Sequence, residues 1–142
     1  MKRFAKTVIG WEEWVAIPAL GLPAIKVKVD TGAKSSALHA YNIRARTENG
    51  QNIVTFKIHP LQRNTKLAIQ CTAPLVDERE VISSNGESET RYVIRVPLVF
   101  PDRCVETDIT LTSRHKMAFR MLLGRDSLRD CKFIVDPAKA YV

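Results

Sequence analysis

Apolar residues recur at every second position through much of this chain, which is the spacing of half-buried β-strands. In the clearest case, Ile25, Val27 and Val29 alternate with lysines. The same alternation appears in three further segments, 67–71, 92–100 and 105–111. Two shorter apolar segments also predict buried strands, 117–123 and 132–135. Pro97 interrupts the longest alternating segment and predicts a sheet edge or a bulge at that point.

Turn signals separate these predicted strands. Asn49-Gly50 and Asn85-Gly86 are dipeptides typical of tight hairpins. Only two short segments, 35–41 and 126–130, are predicted to be helical. With 45% hydrophobic residues in 142 positions, the chain can bury the core of one domain, residues 1–142. The whole pattern predicts an all-β barrel or sandwich.

Charge and cysteine content bear on location and partners. The formal charge of +7 favours polyanionic partners such as nucleic acid, a ribosomal surface or an acidic peptide. No apolar run reaches the roughly 20 residues of a membrane helix, and Trp11-Glu12-Glu13-Trp14 stands where a secretory leader would need an apolar stretch. Three widely spaced cysteines favour reduced thiols over a disulfide framework. We therefore expect a cytoplasmic protein with no membrane partner.

The sharpest chemical feature is Asp30-Thr31-Gly32 at the end of the first alternating strand. The strand fixes the backbone of Asp30, the Thr31 hydroxyl can bond across the turn, and the Gly32 N–H can reach the carboxylate. This arrangement suits a carboxylate at the mouth of a cleft. Taken alone, however, a strand that ends in such residues is more often a plain turn.

A second motif, Leu122-Leu123-Gly124 followed by Arg125, lies far downstream. The two motifs together resemble the signatures of retropepsin-like aspartic proteases. The resemblance implies that Asp30, Thr31 and Gly32 form the catalytic turn. It also implies that Leu122, Leu123 and Gly124 form the psi-shaped loop that holds this turn, in a closed β-barrel with one lobe per chain.

The resemblance narrows to one bacterial family, often labelled an ATP-dependent zinc protease family. It covers nearly the whole chain and rests on several blocks, 11–15, 28–40, 59–60, 83–87, 117–128 and 133–137. The family is retropepsin-like, and some of its members trim glutamate tails that have been added to a ribosomal protein. The resemblance therefore implies a peptidase that acts on such acidic tails.

The residues do not support zinc or ATP as cofactors. The chain has no His-Glu-x-x-His, and its three histidines, His39, His59 and His115, are far apart in the sequence with no nearby cysteine pair. Zinc needs three or four ligands in a defined shell, so only convergence of these histidines in space would provide a site. No glycine-rich phosphate loop ending in Gly-Lys-Ser or Gly-Lys-Thr is present. We expect neither a metal nor another cofactor.

A single Asp-Thr-Gly supplies one carboxylate, so an aspartic protease site requires two chains related by a two-fold axis. We therefore expect a homodimer in which two Asp30 side chains share one proton. Lys34 departs from the retroviral pattern, in which an acidic residue here pairs with the later arginine. Arg125 must then find another partner, such as Asp126, Asp136 or the second subunit. Asn49-Gly50 and the segment 83–89 are the two candidate flap hairpins.

The basic residues near Asp30 suggest an acidic substrate. Lys26 and Lys28 share the strand face of Asp30, and Lys28, Lys34 and Arg125 are the predicted substrate-binding residues. Lysines on a solvent-facing edge are an equally good account of this pattern. Two alternatives to catalysis stay open, namely a non-catalytic dimer that binds an acidic or ribosomal partner and an RNA-binding barrel. The 7% aromatic content and the absence of aromatics beside these lysines disfavour direct nucleic-acid binding.

Overall fold

The fold is described by a computed structural model that covers residues 5–60, 67–82, 86–113 and 119–141. A 3₁₀ turn, Pro18–Leu20, joins the second strand to the third. The described residues form eleven strands and one α-helix: β1 (Thr7–Ile9), β2 (Glu12–Ile17), β3 (Leu22–Val29), β4 (Ser36–His39), β5 (Tyr41–Glu48), β6 (Gln51–Ile58), β7 (Ile69–Ile82), β8 (Ser88–Phe100), β9 (Arg103–Thr112), β10 (Met121–Leu123), α1 (Arg125–Asp130) and β11 (Phe133–Val135).

Six of these strands close into a barrel. They pair in the order β2-β3-β10-β4-β9-β8, and β8 pairs back onto β2 through Val99 and Ala16. The sheet continues beyond β8 through β7, β6 and β5, while β1 and β11 form a separate parallel pair. The predicted all-β barrel is therefore confirmed. The two-residue alternation accounts for it, because it gives each strand one apolar face that can be buried inside the barrel.

The alternating residues fill the barrel. On β3, Ile25 and Val27 are fully buried while Lys28 is exposed, as the two-residue repeat of a strand requires. Each large apolar side chain buried in this way contributes about 1.5–3 kcal/mol to folding. Pro97 pairs with Glu106 of β9 on one side, and on its other side the ladder to β7 ends at Ile94. The expected local edge at Pro97 is therefore present.

One of the two predicted helices is wrong. Residues 36–39 form strand β4, all four of them buried, between β10 on one side and β9 on the other. The helix predicted at 126–130 is confirmed as α1, Arg125–Asp130. No helix in the described parts of the chain is long and apolar enough to cross a membrane.

One of the two candidate flap hairpins can be described. Asn49 and Gly50 have φ values of 51° and 77° and form the turn between β5 and β6, as expected for this dipeptide. The second candidate, between β7 and β8, includes positions 83–85, which lie outside the described residues, as do positions 117 and 118 of the strand predicted before Leu123.

The three cysteines carry free thiols, as the sequence suggested. Cys71 and Cys131 are buried, whereas Cys104 is exposed. Burial raises the pKa of the Cys71 thiol to about 11 and that of Cys131 to about 12. Both buried thiols therefore stay protonated and unreactive at neutral pH.

Candidate active site

Asp30 follows β3 directly and is held by the neighbouring strand β10. The two strands run parallel, with Val27 beside Met121 and Val29 beside Leu123. The ladder continues past the end of β3, because the Asp30 N–H donates to the Leu123 carbonyl at 2.9 Å. The prediction that the two motifs lie side by side is confirmed over 121–123. The backbone of Asp30 is thus fixed as part of the sheet.

The Asp30 side chain is positioned by the turn that follows. The Gly32 N–H donates to Asp30 Oδ1 at 3.0 Å, and the Ala33 N–H donates to the Asp30 carbonyl at 3.2 Å. Among the described residues, Oδ2 of Asp30 has no hydrogen-bond partner, and neither has the exposed hydroxyl of Thr31. The bond that the motif predicted from Gly32 is present. One carboxylate oxygen is left for water or substrate.

The second motif packs against the backbone that follows this turn. Gly124 packs so closely that a Cβ there would lie 2.6 Å from the carbonyl carbon and oxygen of Ser35. The next N–H, that of Arg125, donates to the Ala33 carbonyl at 2.8 Å. That of Asp126 donates to the Lys34 carbonyl at 3.0 Å. Only glycine permits this approach of two backbones, which accounts for glycine in the motif.

Arg125 finds a partner that the sequence did not suggest. Its Nη1 donates to the Thr31 carbonyl at 3.0 Å, whereas Asp126, Asp136 or a second subunit had been expected. Arg125 and Thr31 also border one cavity of about 340 Å³, which Leu128 and Val135 complete on its apolar side. The guanidinium is otherwise exposed. It therefore braces the turn that follows Asp30 while presenting positive charge at a cavity that borders Thr31.

The other basic residues near Asp30 differ in their availability. Lys28 and Lys34 are exposed. Lys26 instead pairs with Glu12 at 3.4 Å and lies over the rings of Trp14 and Tyr141 at 5.4 and 5.7 Å. Hydrogen bonds to Tyr141 and Glu12 raise the pKa of Lys26. Lys26 therefore belongs to a surface contact, whereas Lys28 and Lys34 have no ion-pair partner within the described chain.

A second basic region lies on the sheet extension formed by β5, β6 and β7. Arg44, Arg46 and Lys57 border a cavity of about 300 Å³ there. Tyr41 stacks on His59 beside them, with ring centroids 4.7 Å apart. The basic residues come from two strands, β5 and β6, and no local pattern signals that they lie together. Positive charge is thus not confined to the surroundings of Asp30.

The histidines do not gather in the described parts of the chain. His39 is buried in β4. His59 stacks on Tyr41, and its Nδ1 bonds to the Leu67 carbonyl at 3.0 Å. His115 lies outside the described residues. Within the residues that are described, no three His, Cys, Asp or Glu side chains are grouped to hold a metal.

Sequence reasoning missed three hydroxyl residues that lie behind the turn of residues 30–33. Ser36, Ser127 and Thr107 are all buried, come from β4, α1 and β9, and bond to one another. The only local hint was Ser36, which begins a segment in which polar and apolar residues do not alternate regularly. Their meeting depends on the packing of three elements, which no local pattern encodes.

The comparisons with known proteins agree with this geometry. A family model described as "RimB-like: Retropepsin-like aspartic endopeptidase RimB" matches residues 8–142. The chain belongs to this family. Its description is that of an aspartic enzyme, whereas the resemblance drawn from the sequence carried a zinc label. A crystal structure of a protein of unknown function from Legionella pneumophila has the same fold, with a TM-score of 0.81, 25% identity, and coverage of 97% of this chain and 98% of that one.

Curated relatives of this chain carry a different activity in their names. A probable alpha-L-glutamate ligase of Desulfotalea psychrophila is 46% identical over 134 residues, which are 94% of this chain and 29% of the ligase. One from Shewanella pealeana is 46% identical over 136 residues, or 96% of this chain and 30% of the ligase. The chain therefore spans less than a third of these relatives. The family description and the names of these relatives are both those of enzymes.

Proposed function

We propose that this member of the RimB-like family is an aspartic peptidase that acts as a homodimer. The observation that carries the proposal is the setting of Asp30, whose backbone is fixed by Leu123 while one carboxylate oxygen remains without a partner in the described chain. The exposed Thr31 lies next to it. One chain supplies one such carboxylate, so the full site requires a second copy across a two-fold axis.

In this mechanism the two Asp30 carboxylates lie about 3 Å apart and share one proton. The ionised carboxylate takes a proton from a water molecule as the water oxygen attacks the scissile carbonyl carbon. The protonated carboxyl donates its proton to the carbonyl oxygen, which gives a tetrahedral intermediate. As the C–N bond breaks, the leaving amine takes the proton that came from the water, and a hydroxyl of the intermediate returns its proton to the pair, which restores the shared proton. The shared proton belongs to the pair and not to one subunit.

The proposed substrate is an acidic peptide rich in glutamate. Lys28, Lys34 and Arg125 place positive charge around Asp30, and none of the three has an ion-pair partner among the described residues. Relatives that contain a homologous segment are named as ligases for alpha-L-glutamate, which supports a substrate of the same chemistry. A glutamate-tailed ribosomal protein in the cytoplasm, where thiols stay reduced, meets these requirements.

Mixing of subunits tests the proposal. Wild-type protein should hydrolyse a peptide with a poly-glutamate tail. After exchange with an equal amount of Asp30→Asn chains, the rate per wild-type chain should fall to about half, because only dimers of two wild-type chains hold the complete pair. Exchange with differently tagged wild-type chains is the control. An unchanged rate per wild-type chain would show that each chain acts alone.

A non-catalytic dimer that binds an acidic or ribosomal partner is the second candidate. The basic region of Arg44, Arg46 and Lys57, with Tyr41 stacked on His59, favours it, because this surface can bind without any carboxylate chemistry. This candidate predicts tight binding of the poly-glutamate peptide with no hydrolysis by wild-type protein. The mixing experiment therefore separates the two candidates at its first step.

Charge reversal at Lys34 should weaken binding of the acidic substrate. We expect Lys34→Glu to raise KM for the poly-glutamate peptide several-fold with little change in kcat, because the lysine attracts the peptide without touching the reacting atoms. The effect should shrink as salt reduces the screening length from about 10 Å at 0.1 M to about 3 Å at 1 M. Lys57→Glu makes the same charge change on the sheet extension. An equal effect of Lys57→Glu would mean that net charge, and not a site near Asp30, attracts the peptide.

A further inference from the structure

A chain of buried hydrogen bonds begins at the psi loop and ends at a carboxylate near the surface. The Gly124 N–H donates to Ser36 Oγ at 2.9 Å, and Ser36 Oγ lies 2.6 Å from Ser127 Oγ. Ser127 Oγ lies 2.9 Å from Thr107 Oγ1, which donates to Asp130 Oδ2 at 2.9 Å. The three hydroxyl residues are between 0% and 1% exposed. The hydrogen bonds therefore run through the interior and approach solvent only at the Asp130 end, where Thr107 lines a polar cavity.

The direction of every bond in this chain is fixed by counting protons. The Thr107 hydroxyl has one proton and gives it to Asp130, so it must accept from Ser127. Ser127 has then used its proton and must accept from Ser36. Ser36 in turn accepts the Gly124 N–H, which can only donate. All bonds therefore point from Gly124 towards the carboxylate of Asp130.

The same chain of hydrogen bonds reaches Asp30 through one peptide group. The amide between Leu123 and Gly124 donates its N–H to Ser36, and its carbonyl accepts the Asp30 N–H at 2.9 Å. Hydrogen bonds aligned head to tail polarise one another, by about 10–30% per bond. Negative charge at Asp130 therefore strengthens the bond that fixes the backbone of Asp30, although the two residues lie on different elements.

We infer that Ser36, Ser127, Thr107 and Asp130 are positioning residues for Asp30. They hold the Leu123–Gly124 peptide in the orientation that places the Asp30 carboxylate for reaction. The inference deepens the proposed aspartic mechanism and rests on it for its catalytic meaning. Asp130 is exposed and borders a polar cavity of about 270 Å³ together with Asp126 and Arg79. The chain thus connects the site to a second surface of the molecule.

Variants at two threonines of β9 distinguish the loss of this hydrogen-bond chain from a general loss of stability. Thr107→Val removes the link to Asp130 with little change in volume, and Thr107→Ser keeps it. Thr110→Val is the matched control, because Thr110 is equally buried on the same strand. Its hydroxyl donates to the backbone carbonyl of Ser36, which takes no part in the chain of hydroxyl hydrogen bonds. We expect Thr107→Val to lower kcat about 10- to 100-fold with KM unchanged. Thr107→Ser should retain activity, and Thr110→Val should lie close to wild type.

Amide proton resonances give a readout that does not depend on catalysis. The amide protons of Gly124 and Asp30 should move upfield and exchange faster with solvent in Thr107→Val, because both hydrogen bonds weaken, and should stay in place in Thr110→Val and Thr107→Ser. If both amides are unchanged in Thr107→Val, or if Thr110→Val shifts them equally, the inference is wrong. If the shifts appear but wild-type protein hydrolyses nothing, the chain exists and the proposed peptidase function fails instead.

Discussion

Replacement of Asp30 by asparagine should lower kcat on the poly-glutamate peptide by about 10²- to 10⁴-fold while peptide binding persists. An amide can neither take a proton from water nor share one with its partner in the dimer. The turn should survive, because the asparagine carbonyl oxygen can still accept the Gly32 N–H that now bonds to Asp30 Oδ1. Product formation followed by mass spectrometry gives kcat, and fluorescence anisotropy of a labelled peptide gives binding.

Asp126 offers a matched control for this substitution. It is a half-buried carboxylate in α1, close to the psi loop but outside the Asp30-Thr31-Gly32 turn. Asp126→Asn makes the same chemical change and should leave kcat within a few-fold of wild type. Comparable losses in the two variants would mean that the local electrostatic field matters and that Asp30 has no special role.

Replacement of Gly124 by alanine should cost about 3 kcal/mol or more of unfolding free energy. The new Cβ would lie 2.6 Å from the Ser35 carbonyl group and 3.0 Å from the Ala33 carbonyl oxygen. Because these atoms are backbone, the strand or the turn must move. That movement breaks the bonds from Asp30 to Leu123 and from Gly124 to Ser36. Urea denaturation followed by tryptophan fluorescence measures the loss.

Gly50→Ala separates this clash from ordinary glycine replacement. Gly50 has a φ of 77° in the exposed turn between β5 and β6, and a Cβ added there would meet no atom within 4 Å among the described residues. Its replacement should cost about 1–2 kcal/mol, from backbone strain alone. If Gly124→Ala unfolds at the same urea concentration as Gly50→Ala, the close packing of the psi loop does not support the fold.

The fold class could be predicted because it depends on patterns within single strands. The alternation of Ile25, Val27 and Val29 specifies which face of β3 is buried, whatever its neighbours are. Residues 36–39 behave differently. The segment begins with serine and contains alanine and leucine, which suit a short helix, yet β9 and β10 pair with it on both sides and bury all four residues. Partners distant in sequence overrode local propensity there.

The candidate site was predictable where two motifs meet and unpredictable where single side chains converge. Asp30 and Leu123 lie in adjacent strands as their motifs implied. Lys26 lies an even number of residues from Asp30, so the sequence predicts that both side chains leave the same face of the strand. In the structure the Lys26 ammonium instead lies over the rings of Trp14 and Tyr141. Tyr141 is far from Lys26 in the sequence, so local spacing could not predict this contact. Local spacing determines the direction in which a side chain leaves its strand. It does not determine what that side chain meets.

Hydrolysis of the poly-glutamate peptide in the presence of a metal chelator tests the central claim most directly. Wild-type protein should cleave the peptide at the same rate with and without chelator, and Asp30→Asn should show the same large loss of rate under both conditions. This result would assign the chemistry to the Asp30 carboxylates. Turnover that persists in Asp30→Asn but disappears with chelator would contradict the aspartic mechanism and assign the reaction to a metal.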